Sequence, residues 1–341
     1  MAGRRLTQRQ REQILRVQER RRKRAGQRLE LGNDAGLGPE QMGLVIAHHG
    51  RTLVVEDEAG QLSCCAARQN LGRLACGDWV VWQTSGAAEG VIVAVGERRS
   101  VLTRLDYHGQ PRPVAANLDA VAVVLAPEPE PSESLIDRYL VAIAAIGVRG
   151  LLVLNKLDLL DEPGLATLRE RLEPYRRLGY PLLLASSHTA QGLDDLRAWL
   201  RGHVSLLAGQ SGVGKSSLIK ALLPDRRIRI QAVSQVTGHG AHTTSSSTLY
   251  HLPDGGDLID TPGVRSFELG EIRLNDLEQG FPDIAPYLGR CRFSDCRHDA
   301  EPDCALREAV ASGAIAPRRL DSYQQLRAAL EAAAKSSRSP L

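Results

Sequence analysis

The sequence predicts a multidomain protein: a small β-barrel, a central α/β domain on a parallel sheet, and a mostly helical C-terminal module that carries cysteines. Three observations predict it. Short apolar–polar alternation around glycine turns fills the stretch from about Met42 to Leu105. From Asn117, wholly apolar strands alternate with amphipathic helices. Three cysteines and a histidine then crowd between residues 291 and 304. The boundaries fall at 1–38 for a basic tail, 39–112 for the barrel, 113–275 for the α/β domain and 276–341 for the module.

A chain of 341 residues has room for two or three domains. With aromatics at only 4%, the core is expected to be aliphatic, as in α/β proteins. No apolar run is long enough to span a bilayer and the start lacks a signal-peptide pattern, so a cytoplasmic protein without a membrane partner is expected. Six cysteines in a chain this long do not suggest a disulfide scaffold. Net charge is +3 but unevenly spread, because residues 4–28 are dense in arginine. That stretch fits two readings: a solvated, disordered tail, or an arm that orders on nucleic-acid phosphates. It contains no serine, which argues against an organellar transit peptide.

In the barrel region, GLVIAHHGRTLVVEDEAGQLSCCAA (43–67), GDWVVWQ (77–83) and GVIVAVGERRSVLTR (90–104) read as five short strands, the number of an oligonucleotide-binding (OB) barrel. Cys64, Cys65 and Cys76 lack metal-ligand spacing and read as small apolar residues. Further on, LDAVAVVLA (118–126) is a strand buried on both faces. An amphipathic helix over 132–147 follows, then strands ending in NKLD and in LLLASS. A helix over 192–202, the strand HVSLLAG, the helix GKSSLIKALLP and two strands around LYHLP and GGDLIDTPG complete a doubly wound sheet. Every polar motif falls at the carboxyl end of a strand, where such folds bind ligands.

GQSGVGKSS, Gly209 to Ser217, matches the phosphate loop G-x-x-x-x-G-K-[ST], with the required strand before it and helix after it. Gly209, Gln210, Ser211, Gly212, Val213 and Gly214 would wrap phosphates with backbone N–H groups at a helix N-terminus. Lys215 would reach the β- and γ-phosphates, Ser216 would ligate Mg2+, and Ser217 completes the stretch. In NKLD, Asp158 can accept from both N1–H and the N2 amino group of guanine, an edge adenine lacks. Asn155 would tie the loop to its neighbours, the Lys156 stem would cover a face of the base, and Leu157 completes the element. Ser186 and Ser187 offer a base-backing loop. DTPG supplies Asp260 for a water-mediated Mg2+ contact and the Gly263 N–H for the γ-phosphate. The base element precedes the phosphate loop, the reverse of the common order. A circular permutation explains this, since each strand keeps its place in the sheet when old termini are joined. The second switch then runs directly into the cysteine-bearing module.

Cys291, Cys296, His298 and Cys304, spaced Cys-x4-Cys-x-His-x5-Cys, complete a tetrahedral zinc shell with no open position, which marks a structural metal. NKLD, GQSGVGKSS, GHGAHTTS, DTPGVRSF and this spacing together resemble the small-subunit-dependent GTPase RsgA (YjeQ/YloQ) family over nearly the whole chain beyond the tail. The resemblance implies a late assembly factor of the small (30S) ribosomal subunit. Such a factor binds the subunit and its rRNA, is stimulated to hydrolyse GTP to GDP, and leaves afterwards. Two mild departures stand out: TTS follows His242 where a third threonine is common, and the tail varies within the family.

Val264 follows Gly263 and cannot orient water, so another group must. In the glycine-rich stretch 237–247, Thr244 is expected to meet Mg2+ and the γ-phosphate, with Thr243 as the alternative. The resemblance supports His242 as the water-positioning residue. Two rivals stand beside this GTPase: a nucleotide-gated switch that barely hydrolyses, and a metalloenzyme with reactive zinc, against which the filled ligand set argues. A monomer is expected.

Overall fold

A computed structural model describes residues 37–49, 52–105, 110–223, 247–261, 272 and 274–336. Five strands form the barrel: β1 (Glu40–His49), β2 (Thr52–Glu56), β3 (Leu62–Ala67), β4 (Trp79–Gly86) and β5 (Glu89–Val95). β1 pairs with both β2 and β4, β2 with β3, β4 with β5, and β3 runs parallel to β5, so the circuit 1-2-3-5-4-1 closes. Closure removes the edges that an open sheet would expose. Val45, Leu53, Val55, Cys65, Val80, Trp82 and Ile92 fill the interior. Trp82 takes so much of it that a Cβ on Gly90 would lie 2.5 Å from its ring, and one on Gly43 would lie 2.8 Å from its indole nitrogen. Only glycine fits on those strands. Burial pushes the Cys65 thiol up to about 12, and it raises Cys64 and Cys76 as well, in keeping with packing residues. The stretch 101–104, read in sequence as continuing the barrel pattern, instead forms a separate ribbon, β6 (Val101–Leu105) with β7 (Pro111–Ala116).

The α/β domain follows: β8 (Ala120–Leu125), α1 (Glu133–Ala145), β9 (Arg149–Leu154), α2 (Glu162–Arg177), β10 (Leu182–Leu184), α3 (Leu193–Leu200), β11 (Val204–Ala208), α4 (Lys215–Leu222), β12 (Thr248–His251) and β13 (Asp257–Asp260). The sheet order is β10-β9-β8-β11-β13-β12. All six residues of β8 are buried. Its odd positions, Val121, Val123 and Leu125, pack with α1 and α2. Its even positions, Ala122 and Val124, pack with α3 and α4 on the other face. The period-2 side-chain alternation of a strand thus serves two helical layers. Ser132 caps α1 and Asp161 caps α2, accepting from Leu135 N and Gly164 N.

One strand departs from the expected parallel sheet. β12 runs antiparallel to β13, because the Pro-Asp-Gly-Gly turn between them is far too short for a crossover. β12 also pairs with β1, Ala47 opposite Thr248, so the sheet continues into the barrel. His251 reinforces that seam. Its Nδ1 lies 2.5 Å from Asp257 Oδ1 and its Nε2 2.6 Å from Glu56 Oε2 of the barrel.

The C-terminal module comprises α5 (Leu274–Gln279), α6 (Ala305–Ala311) and α7 (Pro317–Ser336). Its core of Leu277, Phe281, Ile284, Leu306, Ile315, Leu320 and Tyr323 includes Val141 from α1, so the module packs directly on the α/β domain. Among the described residues no helix is long and apolar enough to cross a membrane.

The His251 seam has a defined pH dependence. Burial alone would lower the histidine pKa, but hydrogen bonds to Asp257 and Glu56 outweigh it and the net shift is upward. The imidazolium is the form that donates to both carboxylates at once. Its stabilisation is therefore fully present below the unfolded histidine value of about 6.5 and is lost as pH rises through the raised folded value. Thermal unfolding of His251→Gln should fall about 2–4 °C below the native protein near pH ~6 and converge with it toward pH ~9. A gap that widens with pH would contradict this seam.

Candidate nucleotide site and metal cluster

Because β8, β9, β10, β11 and β13 run parallel, the loops after β9, β10 and β11 emerge on one edge. The loop after β11 winds through Gly209, Gly212 and Gly214, with φ of 142°, 89° and 91°, before α4 starts at Lys215. These left-handed values favour glycine. Val213 is buried, while Ser211, Ser216 and Ser217 face solvent and Gln210 is half-buried. Lys215 Nζ donates to the carbonyls of Gly209, at 2.6 Å, and Gln210, at 2.5 Å. It therefore folds over the cradle into which a phosphate would fit.

Asn155 joins the three loops. Fully buried, it donates from Nδ2 to the Val213 carbonyl at 2.9 Å, and its Oδ1 accepts from Ser187 N at 3.2 Å. Leu157 N donates to the Ala185 carbonyl. Ser186 Oγ donates to Asp158 Oδ1 at 2.5 Å and accepts from His188 N and Thr189 N. That bond holds the Asp158 carboxyl below its ordinary value, so an exposed carboxylate stands charged beside the loop. Lys156, left-handed at φ 62°, donates from Nζ to the Glu128 carbonyl at 2.8 Å, which lays its stem along the edge. Its Cε is 3.9 Å from where a Cβ on Gly214 would stand. Asp260 closes β13, half-buried and paired with Thr248 across the hairpin.

Asn155, Lys156, Leu157, Asp158, Ser186, Ser187 and the phosphate loop thus form one site, with Asp260 at the end of a neighbouring strand. His242, Thr244 and Gly263 lie outside the described residues. Sequence reading passed over the loop after β8, whose Glu128 carbonyl anchors Lys156, and Tyr139, whose hydroxyl lies against the Gly209 backbone N–H. The available signal was Glu-Pro-Glu-Pro-Ser following a buried strand of this sheet.

In the module, one ligand atom each from Cys291, Cys296, His298 and Cys304 all lie within 4.8 Å of one another. The two sulfurs of Cys291 and Cys304 are 4.0 Å apart, and His298 Nδ1 is 3.4 and 3.5 Å from them. A tetrahedron with bonds of about 2.3 Å to sulfur has edges of roughly 3.8 Å, so the donors could hold a metal ion with little movement. Burial, with the Arg327 charge nearby, lowers the His298 pKa and favours the neutral imidazole that a ligand requires. Glu301 accepts from the backbone N–H groups of Arg297, Asp299 and Ala300, which shapes the turn around it.

The RsgA GTPase family model matches residues 95–270, which spans the strands and loops just described. The small ribosomal subunit biogenesis GTPase RsgA of Azotobacter vinelandii is 51% identical over 97% of this chain and 98% of its own length. The chain belongs to the RsgA GTPase family. Its counterpart in Pseudomonas aeruginosa is 49% identical over the same shares. Among solved structures, YjeQ from Thermotoga maritima superposes with a TM-score of 0.67 at 33% identity, over 86% of this chain and 99% of that one. YloQ, described as a circularly permuted GTPase, gives 0.66 at 28%, over 91% and 100%. As an RsgA GTPase the chain is a GTP hydrolase, and its inverted motif order is the permutation of that family.

A Cβ on Gly214 would stand 2.3 Å from Asn155 Nδ2, at a backbone angle few other residues adopt. Gly214→Ala should therefore push the carboxamide off the Val213 carbonyl and weaken GDP binding about tenfold or more, the equivalent of one ~1.4 kcal/mol contact. Titration with a fluorescent GDP reads it, and unchanged affinity would show that the three-loop bridge is not needed.

Proposed function

We propose that this GTPase acts late in the assembly of the small ribosomal subunit, where it binds the subunit and its rRNA, hydrolyses GTP when stimulated by it, and is then released. Membership of the RsgA GTPase family supports the reading, and the observation that carries it at the site is the Asn155 bridge, which ties the NKLD loop, the Ser186–Ser187 loop and the glycine-rich loop together on the permuted domain. Asp158 receives N1–H and the N2 amino group of guanine, and Ser186 holds its carboxylate for that purpose. Lys215 leaves the loop carbonyls for the β- and γ-phosphates. Ser216 and Thr244 would hold the Mg2+ that accompanies GTP, with Asp260 reaching it through water, and the Gly263 N–H would meet the γ-phosphate. Bound there, Mg2+ would offset charge on the phosphate oxygens. His242 orients the water that attacks the γ-phosphorus, the β–γ bridging bond breaks, and GDP and phosphate result.

Zinc is the metal we assign to Cys291, Cys296, His298 and Cys304. Four protein ligands leave no position for substrate, so its part is to hold the module together. On the RNA side, Arg104 and Arg112 sit directly opposite each other across the β6–β7 ribbon, both exposed. Like charges in register oppose each other, and an rRNA phosphate would relieve that repulsion. The barrel and the arginine-rich tail are assigned to the same partner, in the cytoplasm, with the protein acting as a monomer.

Asp158→Asn should weaken GTP binding and turn preference toward xanthosine nucleotides, whose ring offers a carbonyl where guanine has its amino group. Competition between GTP and XTP reads the change. Equal affinity of the native protein for ATP and GTP would remove the assignment.

Turnover titrated with purified small subunits tests the larger proposal. Stimulation should saturate, and His242→Ala should keep GTP affinity while losing most of the stimulated rate, because only the transition state loses a contact. Absence of stimulation in the native protein would defeat the subunit reading, whereas full stimulation in the variant would defeat only the role of His242.

A further inference from the structure

α1 has two working faces. At ~100° per residue, Ser132, Leu135, Ile136 and Tyr139 share one side, and they line a small cavity together with Gln210 and Val213 of the phosphate loop. Glu133, Asp137 and Val141, each four residues on from the last, share a second side roughly 150° around. That second side is covered by the metal module. A Cβ on Gly280 would lie 2.5 Å from Val141 Cγ2, so module backbone rests on the helix. Arg319 of α7 is 1% exposed and reaches past that contact to pair with Asp137, itself fully buried. Its other nitrogens fork onto Asp283 at 2.7 and 3.0 Å, and its guanidinium lies 4.2 Å from the Phe281 ring centre and 5.7 Å from that of Tyr175. Next to it Arg318 meets Glu133 at 3.4 Å and donates to the Arg171 carbonyl at 2.8 Å. Arg171 in turn clamps Glu130, Glu133 and the Pro131 carbonyl in the loop whose Glu128 carbonyl holds Lys156.

We propose that α1 carries the nucleotide state to the metal module, with Arg319 as the residue that fastens the module to the moving helix. A phosphate loop that closes on the γ-phosphate displaces Gln210 and Val213 against one face of a rigid helix. The opposite face can follow only by taking Arg319 and α7 with it, since close-packed interfaces shift as units and do not deform smoothly. The fork geometry matters here: a planar guanidinium bound to two carboxylates and set against two rings resists both sliding and rotation. This connection is separate from the continuous backbone that leads from the second switch into the module.

The inference rests on residues 209–217 being the nucleotide site, and protection of that loop by bound nucleotide reports this separately. Hydrogen exchange on the full chain as purified, with GDP and with a non-hydrolysable GTP analogue, tests the proposal without any ribosomal component. In the native protein the amides of α7 should exchange at rates that differ at least about threefold between the two nucleotides. In Asp137→Asn that difference should vanish while both nucleotides still protect 209–217. Arg319→Lys, which keeps the charge but loses the fork, should reduce it, and carries the test if the first variant does not fold. Equal α7 exchange with the two nucleotides in the native protein, or an undiminished difference in the variants, overturns the proposal. Failure of either nucleotide to protect 209–217 overturns the site assignment and the proposal with it.

Discussion

Three loops that are distant in sequence meet at one buried carboxamide, and the candidate nucleotide site is arranged around that meeting. Asn155 has no room to be anything larger or smaller: its Nδ2 is taken by the Val213 carbonyl, its Oδ1 by the Ser187 amide, and Gly214 approaches it closely. A buried amide satisfied on both sides is stiff, because leaving either group unpaired in that setting would cost about 1–3 kcal/mol. The bridge also makes the permutation workable. Chain order is irrelevant to a side chain that joins loops through space, provided the parallel strands deliver them to the same edge.

The cut introduced by the permutation has a structural counterpart at each end of the domain. On one side β12 extends the sheet into the barrel, and His251 ties Glu56 to Asp257 across that junction. On the other, the core of the C-terminal module takes in Val141 from α1. The charged groups buried there, Arg319 with Asp137 and Asp283, meet one another. Such a pair adds little net stability compared with apolar packing, yet it permits only one arrangement of the two surfaces. The barrel, the GTPase domain and the module that carries the cysteine–histidine cluster are thereby held in one defined relation.

The motifs were legible because each rests on short-range chemistry. Glycines at 209, 212 and 214, a lysine at the start of α4 and a carboxylate three residues after Asn155 carry their meaning in spacing alone. The metal cluster was readable for the same reason: four soft or imidazole donors within fourteen residues have few other uses. Less legible was β12, whose direction follows from the Pro-Asp-Gly-Gly turn and not from its own apolar pattern, which a parallel strand would share. The separate β6–β7 ribbon was likewise hidden, since its alternation matches that of the barrel strands before it.

Sequence by itself therefore determined the order of barrel, α/β domain and helical module, the two-faced sheet, the glycine-rich and NKLD loops at its edge and the four cysteine and histidine donors that cluster, because periodicity and spacing are local properties. Tertiary structure alone decided that Asn155 spans three loops, that Lys156 is held by a carbonyl from the loop after β8, and that α1 stands between the phosphate loop and Arg319. Those contacts join residues from 28 to 182 positions apart. No local pattern encodes such partners, since a side chain's reach across a fold is set by how helices and strands pack and not by where it stands in the chain.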